Sequence, residues 1–212
     1  MENQQLTIEE QQQLAMERTP RGYVWHHCAA PGKIQLVKSH THRQTGHDTG
    51  YCNWPKMNEE EKRQELAEAI QDFESRPGEP VQWGFVEPLE DPTLICSYEK
   101  QEWFRFPKEF KELVLSVNGA YPSREEFITE QGTVTDLKCL LSFNRDSSNS
   151  IWIMPDYENK KLRKQYVVFA EDSNGNYICF QKRNLSIVWI DHETETVERI
   201  APDFVSFLNM LF

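Results

Sequence analysis

Long apolar runs are missing from this 212-residue chain. No stretch approaches the roughly 18 apolar residues that a membrane-spanning helix needs, so no membrane partner is expected. The opening MENQQLTIEEQQQ lacks the apolar core of a secretory leader. Cysteine is sparse: Cys28, Cys52, Cys96, Cys139 and Cys179 are odd in number and widely spaced. That pattern does not suit a disulfide framework, and it fits a reducing cytoplasm. Cys139 and Cys179 lie in apolar runs and read as buried thiols. Positive charge is also short. Residues 1–56 hold 6 Lys and Arg against 5 Asp and Glu, the remainder holds 17 against 29, and the formal net charge is −11. This asymmetry points to a chain of two parts. An acidic body does not suit a direct grip on nucleic-acid phosphates. It suits a basic protein partner, or solubility alone.

Histidine is nearly absent outside one stretch, Tyr23–Gly50, which holds His26, His27, His40, His42 and His47 of the six in the chain. Imidazole is a common ligand for zinc, nickel and other first-row metals. Phosphodiester chemistry needs a cation to take up charge and a base to activate water. Adjacent His26 and His27 supply both, because neighbouring side chains of an extended segment point to opposite sides. His42 and His47 stand five residues apart, about 140° around a regular helix. They reach one ion only if the helix begins between them or is distorted there. Four readings stay open: a chance surface cluster, a structural zinc site, the remnant of a nuclease, and a competent nuclease. Cys28 reads as a small apolar filler beside them.

The order WHH, GKIQLV, His42-x4-His47 and a following Thr-Gly resembles the WHH subgroup of the HNH (ββα-metal) nucleases, over about residues 20–50. These are often the toxic tips of bacterial polymorphic toxins. The resemblance implies His26, His42 and His47 as metal ligands, His27 as general base and Gln35 as an orienting amide. Two features depart from that family. Asp48-Thr49-Gly50-Tyr51 replaces its usual Thr-Gly-Gly, and the loop after His27 is unusually apolar.

The capping box Thr7-x-x-Glu10 predicts a short helix through about Met16. Strands over Tyr23–Trp25 and Lys33–Val37, around a Gly32 turn, and a helix from Ser39 to His47 complete a ββα pattern. Met57–Arg76 reads as an exposed charged helix with a narrow stripe of Leu66, Ala67, Ile70 and Phe73. Pro77-Gly78-Glu79-Pro80 ends it. Beyond Gln82 the texture becomes aromatic and β-branched. Helices are predicted over Asp91–Glu102 and Lys108–Asn118. Strands are predicted over Thr133–Phe143, Gln165–Phe169, Asn176–Gln181 and Ser186–Asp191. A final helix, Phe204–Phe212, is capped by Pro202-Asp203. Asp172–Asn176 is an Asx turn rather than a calcium loop, whose later acidic ligand is missing. Asp191-His192-Glu193 reads as a polar strand-end turn. Helices first, strands next and one helix last make an α+β domain.

FPKEFKELVLSVNGAYP, LLSF, VVFAEDSNGNYICF, SIVWIDHE and DFVSFLNML, in that order, resemble the SUKH superfamily from about Val81 to Phe212. The superfamily includes bacterial immunity proteins and the fungal Smi/Knr cell-wall regulators. The resemblance implies a mixed sheet packed with helices, and a binding role that needs no cofactor. The expected organisation is therefore a ββα-metal-like module at 1–56, a charged helical connector at 57–80 and a SUKH domain at 81–212.

The first functional expectation is an immunity-type binding protein of a bacterial toxin–immunity system. It neutralises a cognate nuclease toxin and is fused to a WHH-type module or its remnant. The second is a metal-dependent HNH endonuclease, using zinc or nickel, autoinhibited by its own immunity domain. DNA is a partner only in that case. The partner surface expected from charge and exposure is the acidic ground of Glu125, Glu126, Glu130, Asp156 and Glu158, in segments that read as loops.

Overall fold

The computed structural model describes residues 6–28, 30, 32–44, 57–75, 80–153 and 160–212. The chain forms two compact units. One is Met1–Lys56 with Ser173–Gly175, and the other is the remainder.

The first unit begins with helix α1 (Ile8–Ala15). Its N-terminus is closed by the capping box seen in the sequence. Glu10 N donates to Thr7 Oγ1 at 3.2 Å, and Thr7 N donates to Glu10 Oε2 at 2.6 Å. Strands β1 (Tyr23–His27) and β2 (Ile34–Lys38) pair antiparallel, with Tyr23 opposite Lys38 and His26 opposite Gln35. Gly32, at φ +78°, turns the hairpin, and Lys33 O accepts from Cys28 N at 2.9 Å. Helix α2 (Ser39–Gln44) follows at once, tied back by Ser39 N donating to Gly22 O at 2.8 Å. The predicted ββα order is present. The last turn expected to reach His47 lies outside the described residues.

The second unit opens with α3 (Glu59–Ser75). Asn58 caps it, its Oδ1 accepting from the N–H groups of Glu60 and Glu61 at 2.9 Å each. Leu66 and Phe73 pack inward, and Phe73 meets Phe212 edge-on at 5.7 Å between centroids. Next come β3 (Trp83–Gly84), α4 (Thr93–Glu102), α5 (Lys108–Val117) and β4 (Tyr121–Pro122), which pairs with β3. A small hairpin, β5 (Glu126–Ile128) with β6 (Val134–Asp136), precedes the main sheet. That sheet holds β7 (Cys139–Leu140), β8 (Tyr166–Glu171), β9 (Tyr177–Gln181), β10 (Ile187–Ile190) and β11 (Val197–Ala201) in the order β11-β10-β9-β8-β7. Helix α6 (Lys160–Gln165) leads into β8, and α7 (Phe204–Met210) closes the unit, with Asp203 Oδ1 accepting from Ser206 N at 2.8 Å.

The core is aromatic. Phe110 of α5 and Phe204 of α7 meet both Phe169 and Phe180, Phe207 of α7 meets Phe169, and the Phe169 and Phe180 rings, on neighbouring strands, have centroids 4.5 Å apart. Edge-to-face pairs dominate, as ring quadrupoles prefer. Cys139 and Cys179 are buried thiols.

The α+β class stands, with two differences of detail. The five-stranded sheet is antiparallel at every pairing rather than mixed. Among the described residues the parallel pairing is one isolated bridge, Ser142 with Ser150. The predicted strand Thr133–Phe143 also divides into β6 and β7. Between them Lys138, only 1% exposed, turns inward to put Nζ 2.7 Å from Glu171 Oε1, itself 0% exposed.

Candidate functional site

The histidines of the first unit are placed by its hairpin and following helix. Alternation along β1 puts Val24 and His26 on one face and Trp25 and His27 on the other. Val24 is buried, and Trp25 Nε1 donates to Thr19 Oγ1 at 3.1 Å, so both faces are anchored. His42, in α2, is buried and meets the His26 ring edge-on, with centroids 5.1 Å apart and planes at 73°. Two imidazoles bound to one tetrahedral ion through bonds of about 2.1 Å would bring their ring centres about 5 Å apart. The observed pair fits that spacing. Among the described residues no group of three or more His, Cys, Asp or Glu side chains is disposed to hold an ion, and His47 lies outside them.

Partial burial removes water from the charged form of His27 and lowers its pKa below the usual histidine value. A neutral imidazole at neutral pH is the form that accepts a proton. Gln35 lies across the ladder from His26, not from His27. It therefore shares the face of the expected ligand rather than that of the expected base. His40 is exposed.

The two polar turns singled out in the sequence are structural. Asp172 Oδ1 accepts from Asn176 N at 2.8 Å, and its Oδ2 accepts from Asn176 Nδ2 at 2.8 Å, Trp189 Nε1 at 2.9 Å and Thr135 Oγ1 at 3.1 Å. That set describes an Asx turn locked into the core. Asp191 Oδ1 accepts from the N–H groups of Glu193 and Thr194, as a strand-end turn requires.

Of the acidic ground, Glu125 is half-buried, while Glu126 and Glu130 are exposed. Glu126 stands in β5 rather than in a loop, its backbone paired with Phe212. Glu130 is in ion-pair contact with Arg199 at 3.1 Å. Asp156 and Glu158 lie outside the described residues.

Sequence reasoning missed a second polar cluster, at the end of α4. Glu99 and Glu102 are buried, although their sequence context reads as a solvated helix face. Glu99 accepts from Arg105 Nη1 at 2.9 Å, Phe106 N at 2.9 Å and Lys111 Nζ at 3.3 Å. Glu102 Oε1 accepts from Arg163 Nη2 at 3.0 Å, and its backbone oxygen accepts from Lys182 Nζ at 2.6 Å. Desolvation lowers the Lys182 pKa, and the charge of Glu102 partly opposes this. Trp103, between these acids and Arg105, is 93% exposed. The signal in the sequence was the run Glu-Trp-Phe-Arg-Phe, in which aromatic and charged residues alternate.

Comparison with known proteins gives two matches. Residues 91–210 match the SMI1 / KNR4 family (SUKH-1). Residues 1–50 match the DNase/tRNase domain of colicin-like bacteriocins. No curated protein matches the chain.

Proposed function

The chain belongs to the SMI1 / KNR4 family (SUKH-1) and carries a nuclease-like segment ahead of that domain, and from this premise we propose that it is the immunity component of a bacterial toxin–immunity system. The family domain binds and neutralises a cognate nuclease toxin in the cytoplasm. The observation that carries this reading is the presence of both matches in one chain.

The proposed boundaries are 1–56 for the nuclease-like module, 57–80 for a helical connector and 81–212 for the binding domain. The proposed contact ground is Glu125, Glu126 and Glu130, continuing into Asp156 and Glu158. A nuclease surface that grips phosphate is basic, so complementary fields speed encounter and make the on-rate fall with salt. The test is a pull-down of the full chain against the nuclease encoded beside its gene, at low and high salt. Binding weakened by salt and by Glu126→Lys/Glu130→Lys supports both the role and the surface. Binding indifferent to salt and to those changes refutes the surface, and no binding refutes the immunity role.

The spacing of His26 and His42 favours a second reading, that the module remains a metal-dependent nuclease held in check by its own immunity domain. His26 and His42 would hold a zinc or nickel ion with His47. That ion would take up charge on a phosphodiester. His27, neutral and on the opposite face of β1, would accept a proton from the attacking water. Metal analysis and plasmid nicking decide it. His42→Ala should lose the metal, and His27→Ala should keep it but lose about 10²–10⁴-fold in rate. A chain that holds metal but never nicks DNA is a remnant.

A further inference from the structure

Trp103 occupies a position where glycine is the usual residue. Helix α4 ends in a Schellman arrangement, with Phe104 N donating to Glu99 O at 3.0 Å and Trp103 N donating to Lys100 O at 3.4 Å. The residue after the last helical turn must then be left-handed, and Trp103 is, at φ +51° and ψ +47°. For a bulky side chain that conformation is strained. The strain brings no packing in return, because the indole is 93% exposed. Strain kept without an internal contact points to an external one.

The surroundings say what the contact is. Two segments converge on Glu102, next to Trp103. Arg163 reaches it from α6, and Lys182 reaches it from the end of β9. The two segments are joined by Lys182 N donating to Gln165 O at 2.8 Å. Helix α6 has the sequence KKLRKQ, with no acid, and Arg183 follows Lys182. Lys100 and Arg105 flank the indole along the chain. Beside the outward indole, Arg105 and Lys111 pair with Glu99, and Arg163 and Lys182 pair with Glu102, so four cations meet two carboxylates and leave a basic excess.

The matching surface is an acidic one with exposed apolar ground, and this chain has it. Helix α3 carries Glu59, Glu60, Glu61, Glu65, Glu68, Asp72 and Glu74 against Lys62 and Arg63. Its buried residue is Ala69, while Ile70 is 42% exposed and Phe73, edge-on against Phe212, is 43% exposed.

We infer that Trp103 and its basic surround dock on helix α3 of a second copy of this chain, forming a two-fold dimer. Two-fold symmetry makes the contact twice, which a single small patch needs to be stable. Net repulsion between the copies is screened beyond about 10 Å at ordinary salt, so the local match of charges decides. The inference is independent of the toxin-binding reading.

The test is sedimentation of the full chain over a wide concentration range, with melting temperature recorded for each variant. The wild type should show a concentration-dependent dimer. Trp103→Gly should weaken it by about thirtyfold or more, as loss of a buried aromatic anchor does. Its melting temperature should hold or rise, because glycine accepts the left-handed position. Lys100→Glu/Arg183→Glu should also dissociate the dimer, and adding Glu60→Lys/Glu74→Lys should restore it. A wild type that is monomeric at every concentration overturns the inference, as does a dimer indifferent to Trp103→Gly. So does a monomer that binds a labelled oligonucleotide or anionic vesicles through Trp103, which would assign the patch to other chemistry.

Discussion

Replacing Lys138 by Met tests the buried ion pair that splits the predicted strand. The Lys138 ammonium lies 2.7 Å from Glu171, and neither side chain reaches solvent. The pair is also fixed from the backbone, where Lys138 N donates to Glu171 O at 3.1 Å. Methionine matches the lysine stem in length but removes its charge. The Glu171 carboxylate is then left in the core without its cation, and such losses amount to about 3–5 kcal/mol. Removing both charges together, as Lys138→Met/Glu171→Met, is commonly near neutral or better. The assay is urea unfolding followed by tryptophan fluorescence, with Trp189 reporting from the core. With a urea dependence of about 2 kcal/mol per molar, the single variant should lose about 1.5–2.5 M in midpoint. The double variant should recover most of that. If the single change destabilises no more than the double one, the Lys138–Glu171 pair does not stabilise the core.

Two further outcomes are expected. Asp203→Ala removes the side chain that accepts from Ser206 N at the head of α7, and should lower stability by about 1 kcal/mol in the same unfolding assay. That backbone hydrogen bond holds the Asp203 carboxyl below the usual range, so its contribution is present above about pH 4 and lost as pH falls through the folded value. His27, with its pKa lowered by desolvation, works in the same sense near neutrality. The first unit should keep its stability above about pH 6.5 and lose it as pH falls through the depressed value, and His27→Asn should flatten that dependence in a ring-proton titration paired with unfolding.

What the sequence disclosed was mostly local chemistry. Thr7 with Glu10, Asp172 with Asn176 and Asp203 before the last helix each state their own hydrogen bonds, and all three form. The Gly32 turn and the two short strands beside it are legible for the same reason. What stayed hidden depends on distant partners. Nothing near Lys138 announces that Glu171, 33 residues away, will draw it inside. Glu99 and Glu102 look like solvated helix positions until Arg105, Lys111, Arg163 and Lys182 arrive from elsewhere. Strand β11, with Glu198 and Arg199 at its centre, lacks the apolar alternation of its neighbours, and α6 lacks an apolar stripe altogether. At the histidines, the sequence marked His26 and His42, and the structure brings their rings together. Register then set Gln35 opposite His26, which no spacing argument could have foretold.

The last stretch of the second unit is also its keystone, and this bears on how the unit is made. Phe204 fills the space against Phe110 and Phe169, Phe207 covers Phe127, and Phe212 both meets Phe73 and pairs its backbone with Glu126. While the chain grows on the ribosome, everything from Phe73 to Phe180 is synthesised before the residues that cover it. The half-made unit therefore waits with an open aromatic face, which closes only once Phe204, Phe207 and Phe212 are in place.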